Sequence, residues 1–280
     1  MATEQSPFEE ENNLENDTSQ ELLSVLLLAL IQAQNSIVIS EFNNNTFNVI
    51  QSQLKSKSSE VLPFLNNTSH KAIQIGLDRT KRELGFDNLT IDYSDSRFTD
   101  LVTKVFNDNF EFILDTNREM YQELQNIANE RGWSQEELAR RLKKYYGLTP
   151  RYINTVLTLE SALMSEGVSK KVLEQRIQKR IDQLLEWRMN LIAERISTAI
   201  IEGSKDESFG YLVDTSQIDR NEYVKQWSSL IDDVTTDICL SSNNTIAEIG
   251  GRFPNGLYHP PAYPPVHECR SSIALTKRNI

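Results

Sequence analysis

The residues best suited to chemistry in this sequence are two cysteines and two histidines near its C-terminal end. Cys239, His259, His267 and Cys269 carry thiol and imidazole groups, which are the ligands that Zn²⁺ prefers. His267 and Cys269 lie in residues 254–269, which hold five of the chain's eight prolines. Because proline fixes φ, this segment is expected to be extended and stiff, and a His-x-Cys pair on it would lose little entropy on binding. The sequence therefore offers a zinc site formed by Cys239, His267 and Cys269, with His259 or Asp237 as a fourth ligand.

A second interpretation of the same residues needs no metal. Cysteines without a disulfide are commonly small buried hydrophobic residues, and His267 would then cap a turn. This interpretation is favoured, so no cofactor is expected and zinc is the alternative. A nucleophile pair of Cys239 and His267, with Cys269, would instead make a cysteine or metal-dependent hydrolase. The chain has no Gly-rich phosphate loop, no His-Glu-x-x-His and no Gly-x-Ser-x-Gly, so we expect that it is not an enzyme.

A second group of charged side chains lies between residues 131 and 151. This stretch holds six lysines or arginines against two acids, interleaved with tyrosines. Cations attract phosphates and aromatic rings stack on bases, so the stretch offers a nucleic-acid-binding module. On a helix most of these charges fall away from the apolar stripe, which is typical of an ordinary solvated face. The candidate nucleic-acid contacts are Arg140, Arg141, Lys143, Lys144 and Arg151.

The composition of the whole chain limits its partners. The 280 residues carry a formal net charge of −11, which argues against a broad basic surface for nucleic acid but leaves room for a local patch. The apolar run at residues 22–31 is about half as long as a bilayer-spanning helix, and no lysine or arginine precedes it. Neither a membrane partner nor a signal peptide is therefore expected. The two cysteines fit a reducing compartment.

The apolar run belongs to a helix that is predicted to begin at a capping box. Thr18 and Glu21 form this box, and the helix is expected to continue to about Ile39. Ahead of it, residues 1–16 are acidic and without periodicity, so disorder is expected there. The helix is apolar on more than one face, which favours either a core position or docking of a partner. The candidate docking residues are Leu22, Leu26 and Leu30.

Helical periodicity and clear helix boundaries dominate the centre of the chain. Ser134 is predicted to cap a helix over 135–145, and Thr149-Pro150 to open another that ends near Gly167. The longest helix is predicted from Ser169 to about Glu202. Its apolar stripe contains a single charged residue, Arg188.

The region after residue 203 has a different character, with a predicted strand at 223–228 and turns at glycines. The sequence therefore predicts a mainly α protein with long central helices, a small C-terminal α+β domain and a proline-rich C-terminal loop. Its predicted regions are a disordered N-terminus (1–16), a helical and irregular region (17–95), a central helical domain (96–203) and the α+β domain (204–280).

Two blocks of the sequence each contain short motifs that follow one another in a defined order. The first is Gly-Leu-Thr-Pro-Arg-Tyr-Ile at 147–153, followed by the long helix with Arg-Met-Asn-Leu-Ile-Ala-Glu-Arg at 188–195. The second is Lys-Gln-Trp at 225–227, Thr-Thr-Asp-Ile-Cys at 235–239, and Pro-Pro-Val-His-Glu-Cys-Arg at 264–270. Together they resemble the central helices and the C-terminal signature of Mu-like phage head morphogenesis proteins, also called minor head proteins. The resemblance covers roughly residues 130–275.

This resemblance implies a phage virion structural protein inside the capsid near the portal vertex, assembled in the host cytoplasm. Its partners would be the portal protein, other head proteins and the packaged DNA, and it would assist head assembly and genome packaging or delivery. The C-terminal signature gives structural roles to Trp227, Asp237 and Arg270. The family's Cys-x-x-Cys turn is Cys-Leu-Ser-Ser at 239–242 in this chain, which excludes a site of four cysteines.

Overall fold

The computed structural model describes residues 7–56, 61–229, 231, 235–260 and 271–278. Within these ranges the predicted fold class is confirmed: the chain is mainly helical, with long central helices and a small C-terminal antiparallel sheet. The helices are α1 (Pro7–Asn35), α2 (Asn44–Ser56), α3 (Leu62–Leu84), α4 (Ser96–Arg131), α5 (Gln135–Tyr145), α6 (Pro150–Ser165), α7 (Lys170–Asp214) and α8 (Asp237–Ser242), with a 3-10 turn at Ile39–Glu41. The strands are β1 (Tyr223–Ser229), β2 (Ile246–Ala247) and β3 (Ser271–Lys277). Most of the predicted proline-rich loop, residues 261–270, lies outside the described ranges.

Local capping decides where α5 and α6 begin. The Ser134 side chain accepts a hydrogen bond from the amide of Glu137 at 3.2 Å, and the Thr149 side chain accepts one from the amide of Tyr152 at 3.2 Å. Each hydroxyl thereby satisfies an amide that has no partner within its own helix. Pro150 follows at the first helical position, where its missing donor is not needed. The predicted boundaries of these two helices are confirmed.

Helix α1 begins eleven residues before the predicted capping box, at Pro7 rather than Thr18. The prediction of disorder over 1–16 is therefore wrong for residues 7–16. The Thr18 hydroxyl donates to the Thr68 hydroxyl at 3.4 Å instead of capping a helix. Nearer the start of the same helix, Glu11 is buried and accepts a hydrogen bond from the ammonium of Lys205 at 3.1 Å. Tertiary pairing thus holds in helical form a segment whose composition alone is typical of disorder.

Helix α7 also exceeds its prediction, because it continues through Gly203 to Asp214. Gly203 is buried and helical, and a Cβ atom there would lie 2.9 Å from Leu101 Cδ1 and 3.2 Å from His259 Nε2. The glycine therefore marks close packing against the helix and does not end it. The region after residue 203, predicted to start a separate domain, begins with about three more helical turns.

The chain divides into two compact units, and each unit combines separate stretches. The first comprises Met1–Glu21, Val61–Phe106 and Leu191–Ile280, and the second comprises Leu22–Glu60 and Asn107–Asn190. This division differs from the predicted succession of regions with boundaries at 16, 95 and 203. Capping residues, glycines and prolines in the sequence mark the ends of helices and strands. The two units are instead defined by which helices and strands pack together.

The C-terminal sheet forms part of the core of the first unit. Its strand order is β2-β1-β3, and Trp227 of β1 lies opposite Ile273 of β3. Trp227 is fully buried, and its ring meets the ring of Phe253 edge to face at 5.2 Å. The apolar cluster around Trp227 also includes residues of α3, α4 and α7, among them Ile73, Leu77, Phe98 and Phe209. The sheet therefore packs into the same apolar core as helices α3 and α4, which lie far from it in sequence.

No helix in the described ranges is both long enough and apolar enough to cross a bilayer.

Candidate functional site

Lys225 lies at the centre of a buried charge cluster in the first unit. Its side chain extends from β1 and is wholly buried. The ammonium donates to the Asp206 carboxylate on α7 and to the Tyr258 carbonyl, each at 2.7 Å. It also lies 5.3 Å from the centre of the Phe253 ring and 5.7 Å from that of Tyr258. A buried ammonium is stable only with such partners, so the lysine joins the strand, the helix and the loop before the proline-rich segment.

His259 is held beside this cluster. Its Nε2 atom faces Gly203 on α7, and its Nδ1 atom contacts the Pro260 carbonyl. Burial lowers the pKa of His259, although the Pro260 carbonyl and the Asp206 charge act in the opposite direction. Burial likewise raises the pKa of Asp206, against the opposing charge of Lys225. At neutral pH the imidazole is therefore neutral and acts as a packing group against α7.

Cys239, predicted as a metal ligand, has a different environment. It lies on α8, buried in the apolar cluster around Trp227, and its carbonyl accepts a hydrogen bond from the Ser229 hydroxyl at 2.9 Å. His259 instead contacts α7 and the Pro260 carbonyl. In the described part of the chain no three His, Cys, Asp or Glu side chains are grouped so that they could hold a metal ion. The other two predicted ligands, His267 and Cys269, lie outside the described residues, as does Arg270.

Trp227 and Asp237, the other two residues of the predicted signature, are both described. Trp227 is the buried centre of the sheet, and its indole nitrogen donates to the Ser229 hydroxyl at 3.1 Å. Asp237 is exposed and is the first residue of α8, where a carboxylate interacts favourably with the helix dipole. The segment after Thr236 is thus a short helix, where a turn was predicted.

A second buried charge cluster, which the sequence did not reveal, surrounds Lys205 in the same unit. The ammonium donates to Glu11 at 3.1 Å, to Glu202 at 2.8 Å and to the Ser272 hydroxyl at 2.6 Å. The other oxygen of Glu202 accepts the backbone amide of Ile273 at 2.7 Å. Burial raises the pKa of Glu202, and the charge of Lys205 opposes this rise. Burial acts to lower the pKa of Lys205, but the charges of Glu202 and Glu11 together outweigh burial and raise it above its ordinary value. The cluster joins α1, α7 and β3.

In the second unit, acids neutralise the two arginines that were predicted to contact nucleic acid on α5. Arg140 forms ion pairs with Glu136 at 2.6 Å and with Glu137 at 3.4 Å. Arg141 pairs with Glu137 at 2.8 Å and with Glu160 of α6 at 2.6 Å. Burial alone would lower the pKa of Arg141, but the bonds to Glu160 and Glu137 raise it above its ordinary value. These contacts favour the solvated-face interpretation of α5.

The other three predicted nucleic-acid contacts have side chains in three different environments. Lys143 donates to the Ile37 carbonyl at 3.2 Å, so its ammonium already binds the chain's own backbone. Lys144 is partly buried, and burial lowers its pKa. Arg151 is exposed at the start of α6. Of the five candidates, Arg151 is the one whose side chain faces solvent without a salt bridge among the described residues.

The prediction that three leucines of α1 form a docking surface for a partner is wrong. Leu22, Leu26 and Leu30 are fully or almost fully buried within the chain, because they form the side of the helix that packs into its own core. The apolar side chains that α1 presents to solvent are Val25, Leu28 and Ile31. The amphipathic pattern was visible in the sequence, but a helix that is apolar on several faces does not reveal which face is buried.

Arg188 is buried in the second unit, as its place in the apolar stripe of α7 predicted. Its Nη1 atom donates to the Gly147 carbonyl in the turn between α5 and α6. Burial lowers its pKa to about 10, and the charges of Tyr152 and Glu119 oppose this change only in part. The guanidinium thereby supports the C-terminal end of α5, where the helix dipole favours a cation.

The opposite, solvent-facing side of α7 carries a row of arginine, glutamine and tryptophan side chains. Arg176, Arg180, Gln183 and Trp187 are all exposed and follow one another at helical spacing. Trp187 keeps 53% of its surface exposed and lies beside Tyr152 of α6, with ring centres 5.8 Å apart. An exposed tryptophan in a row of arginines is visible in the sequence once the buried stripe of the helix has been assigned.

No family model, curated protein or solved structure matches this chain.

Proposed function

We propose that this chain is a structural component of a phage head: a minor head protein that binds the portal protein inside the capsid. It acts without enzymatic chemistry and assists head assembly and genome packaging or delivery. The proposal starts from the resemblance of residues 130–275 to Mu-like head morphogenesis proteins.

The observation that carries the proposal is the pairing of β1 with β3. The tryptophan strand of the family-like signature is β1, and β3 begins at Ser271, directly after the Cys-Arg at 269–270. The two strands pair in full register from Tyr223 opposite Lys277 to Ser229 opposite Ser271. The tryptophan strand of the signature thus pairs with the strand that directly follows the signature's last residues in sequence. This supports the view that the two blocks of the signature belong to one structural module, as the resemblance implies.

The alternatives have less support. A nucleic-acid module on α5 would need free positive charge, whereas Arg140 and Arg141 are matched by glutamates. A hydrolase built on Cys239 would need His267 and Cys269, which lie outside the described residues. Neither alternative is supported by an observation comparable with the β1–β3 pairing.

The proposal is tested on heads purified from cells that make the phage encoding this chain. Quantitative mass spectrometry should find the chain in the heads at far fewer copies than the major capsid protein. Heads assembled without the portal protein should lack the chain, and heads assembled without tail proteins should retain it. Abundant chain in the lysate with none in the heads would contradict the proposal. Equal amounts in heads with and without portal protein would contradict the portal contact.

A further inference from the structure

The solvent-facing side of α7 in the second unit carries an unusual combination of side chains. Arg176, Arg180, Gln183 and Trp187 occupy positions i, i+4, i+7 and i+11, which place them on one face of the helix over about 16 Å. All four are exposed, and Trp187 retains 53% of its surface. A single exposed aromatic residue is common, but here the exposed indole lies in a row with arginines, and it offers a flat face on which another ring can stack.

Helix α6 extends this face with one more cation and a second ring. Tyr152 lies with its ring centre 5.8 Å from that of Trp187, at an interplanar angle of 57°. Burial raises the pKa of Tyr152, while the charges of Arg151, Arg188 and Arg180 act to lower it. The influence of Arg151 and Arg180 on one hydroxyl shows that these two exposed cations lie near the same aromatic pair.

The positive charges of this face are not matched by acids. In the described ranges no carboxylate lies within ion-pair distance of Arg151, Arg176 or Arg180, whereas Arg118 and Arg140 in the same unit each pair with a carboxylate. The exposed residues of α6 that follow Tyr152 include Asn154, Thr155 and Thr158, which are polar and uncharged. This surface is therefore locally basic, although the chain carries a net charge of −11.

We propose that this face, formed by Arg151, Tyr152, Arg176, Arg180 and Trp187, binds single-stranded nucleic acid. The arginines bind backbone phosphates, and an unpaired base stacks on the exposed indole of Trp187. Cations that track the backbone and an aromatic ring that stacks on bases are the two features by which proteins bind single strands without sequence preference. The acidic surface elsewhere does not prevent this, since at physiological salt charges more than about 8 Å away are largely screened.

A single strand fits this face better than a duplex. In a duplex the faces of the bases are already stacked, so the indole of Trp187 would have no partner and only the phosphate contacts would remain. The three arginines neutralise few phosphates in either case, and only a single strand adds the stacking of a base on Trp187. The inference goes beyond the proposed head function and does not depend on it.

The test uses the full-length chain and a short fluorescein-labelled oligothymidylate, with binding followed by fluorescence anisotropy. Trp187→Ala should weaken binding by roughly 10-fold or more, and Trp187→Phe should retain most of it because a ring remains. Arg176→Gln with Arg180→Gln should reduce the slope of log K against log salt by about 1.4, or about 0.7 for each lost phosphate contact. Matched controls in the same unit are Phe112→Ala, an exposed aromatic residue, and Arg140→Gln, an exposed arginine with acid partners.

Each possible result of this binding experiment either supports or overturns the inference. Weaker binding in the Trp187 and arginine variants, with both controls unchanged and all thermal melting curves preserved, supports the inference. An absence of binding by the unaltered chain overturns it. Equal losses in the controls also overturn it, because they would indicate diffuse electrostatic attraction. Equal affinity for a duplex, with no effect of Trp187→Ala, overturns the stacking of a single strand.

Discussion

Lys225 shows how one buried charge can determine the position of a loop. Removing an ammonium from water costs several kcal/mol, and the protein offsets this with the Asp206 carboxylate and the Tyr258 carbonyl. The rings of Phe253 and Tyr258 add attraction through their electron-rich faces. Because these partners come from α7 and from the loop before residue 260, neither can move away without removing one of the ammonium's hydrogen-bond acceptors.

We therefore expect Lys225→Met to lower the free energy of unfolding by about 3 to 5 kcal/mol, because it leaves the Asp206 carboxylate buried without its partner. Adding Asp206→Leu should restore most of this loss, since an apolar pair of similar volume needs no compensating charge. Urea unfolding followed by tryptophan fluorescence measures both changes. Lys277→Met, at an exposed lysine of β3, is the control. A loss in Lys225→Met no larger than in this control would contradict the role of the buried pair.

Charge pairs of this kind explain part of what the sequence could not predict. Lys225 and Asp206 lie 19 residues apart, and Lys205 and Glu11 lie 194 residues apart, so no local spacing indicates either contact. The ion pairs of Arg140 follow helical spacing and could have been predicted. The contact of Arg141 with Glu160 joins two helices and could not.

At the scale of the element, α7 has two glycines within its helical span that serve different purposes. A Cβ atom at Gly203 would lie 2.9 Å from Leu101 Cδ1 and 3.2 Å from the His259 ring. Among the described residues, the atom nearest to a Cβ atom at Gly210 would be Arg97 Nη1, at 3.7 Å. Alanine is the better helix former at both positions, so packing alone should separate the two substitutions.

Gly210→Ala is expected to raise the free energy of unfolding by about 0.5 to 1 kcal/mol. Gly203→Ala should instead lower it by about 1 to 2 kcal/mol, because Leu101 and His259 must move to admit the methyl group. Chemical denaturation of the two variants beside the unaltered chain makes the comparison. Equal stabilisation by both substitutions would show that Gly203 has no close-packing role.

The same helices show which element boundaries a sequence reveals. Helices α5 and α6 begin at Ser134 and Thr149, whose capping bonds lie within four residues, and both starts were predicted. The start of α1 and the end of α7 were not predicted, because contacts of Glu11 and Gly203 with distant residues decide them. Local chemistry fixes the first kind of boundary and tertiary packing the second.

At the scale of the whole molecule, the predicted C-terminal domain 204–280 is only part of a unit. Its buried Trp227 and Ile273 belong to one apolar cluster with Ile73, Leu77 and Phe98, which come from α3 and α4. A fragment that starts at residue 204 would lack these partners and would leave a large apolar surface in water.

We therefore expect the isolated fragment 204–280 to have no stable fold. Trp227 is its only tryptophan, so its emission should be shifted to the red relative to the buried environment that it has in the full chain. Amide proton shifts should be poorly dispersed. The full-length chain, measured under the same conditions, is the reference. Well-dispersed amide signals and blue-shifted emission from the fragment alone would show that 204–280 is an autonomous domain.

The contacts of Lys205 also have a consequence for protein synthesis. Glu11 leaves the ribosome long before Ser272 is made, yet both bind this one ammonium. At 5 to 20 residues per second, roughly 10 to 50 s separate their appearance. Until then a nascent chain can bury neither Lys205 with all its partners nor the apolar surface beneath β3. Its first unit is therefore completed only after translation of β3, and the waiting helices are natural clients for chaperones.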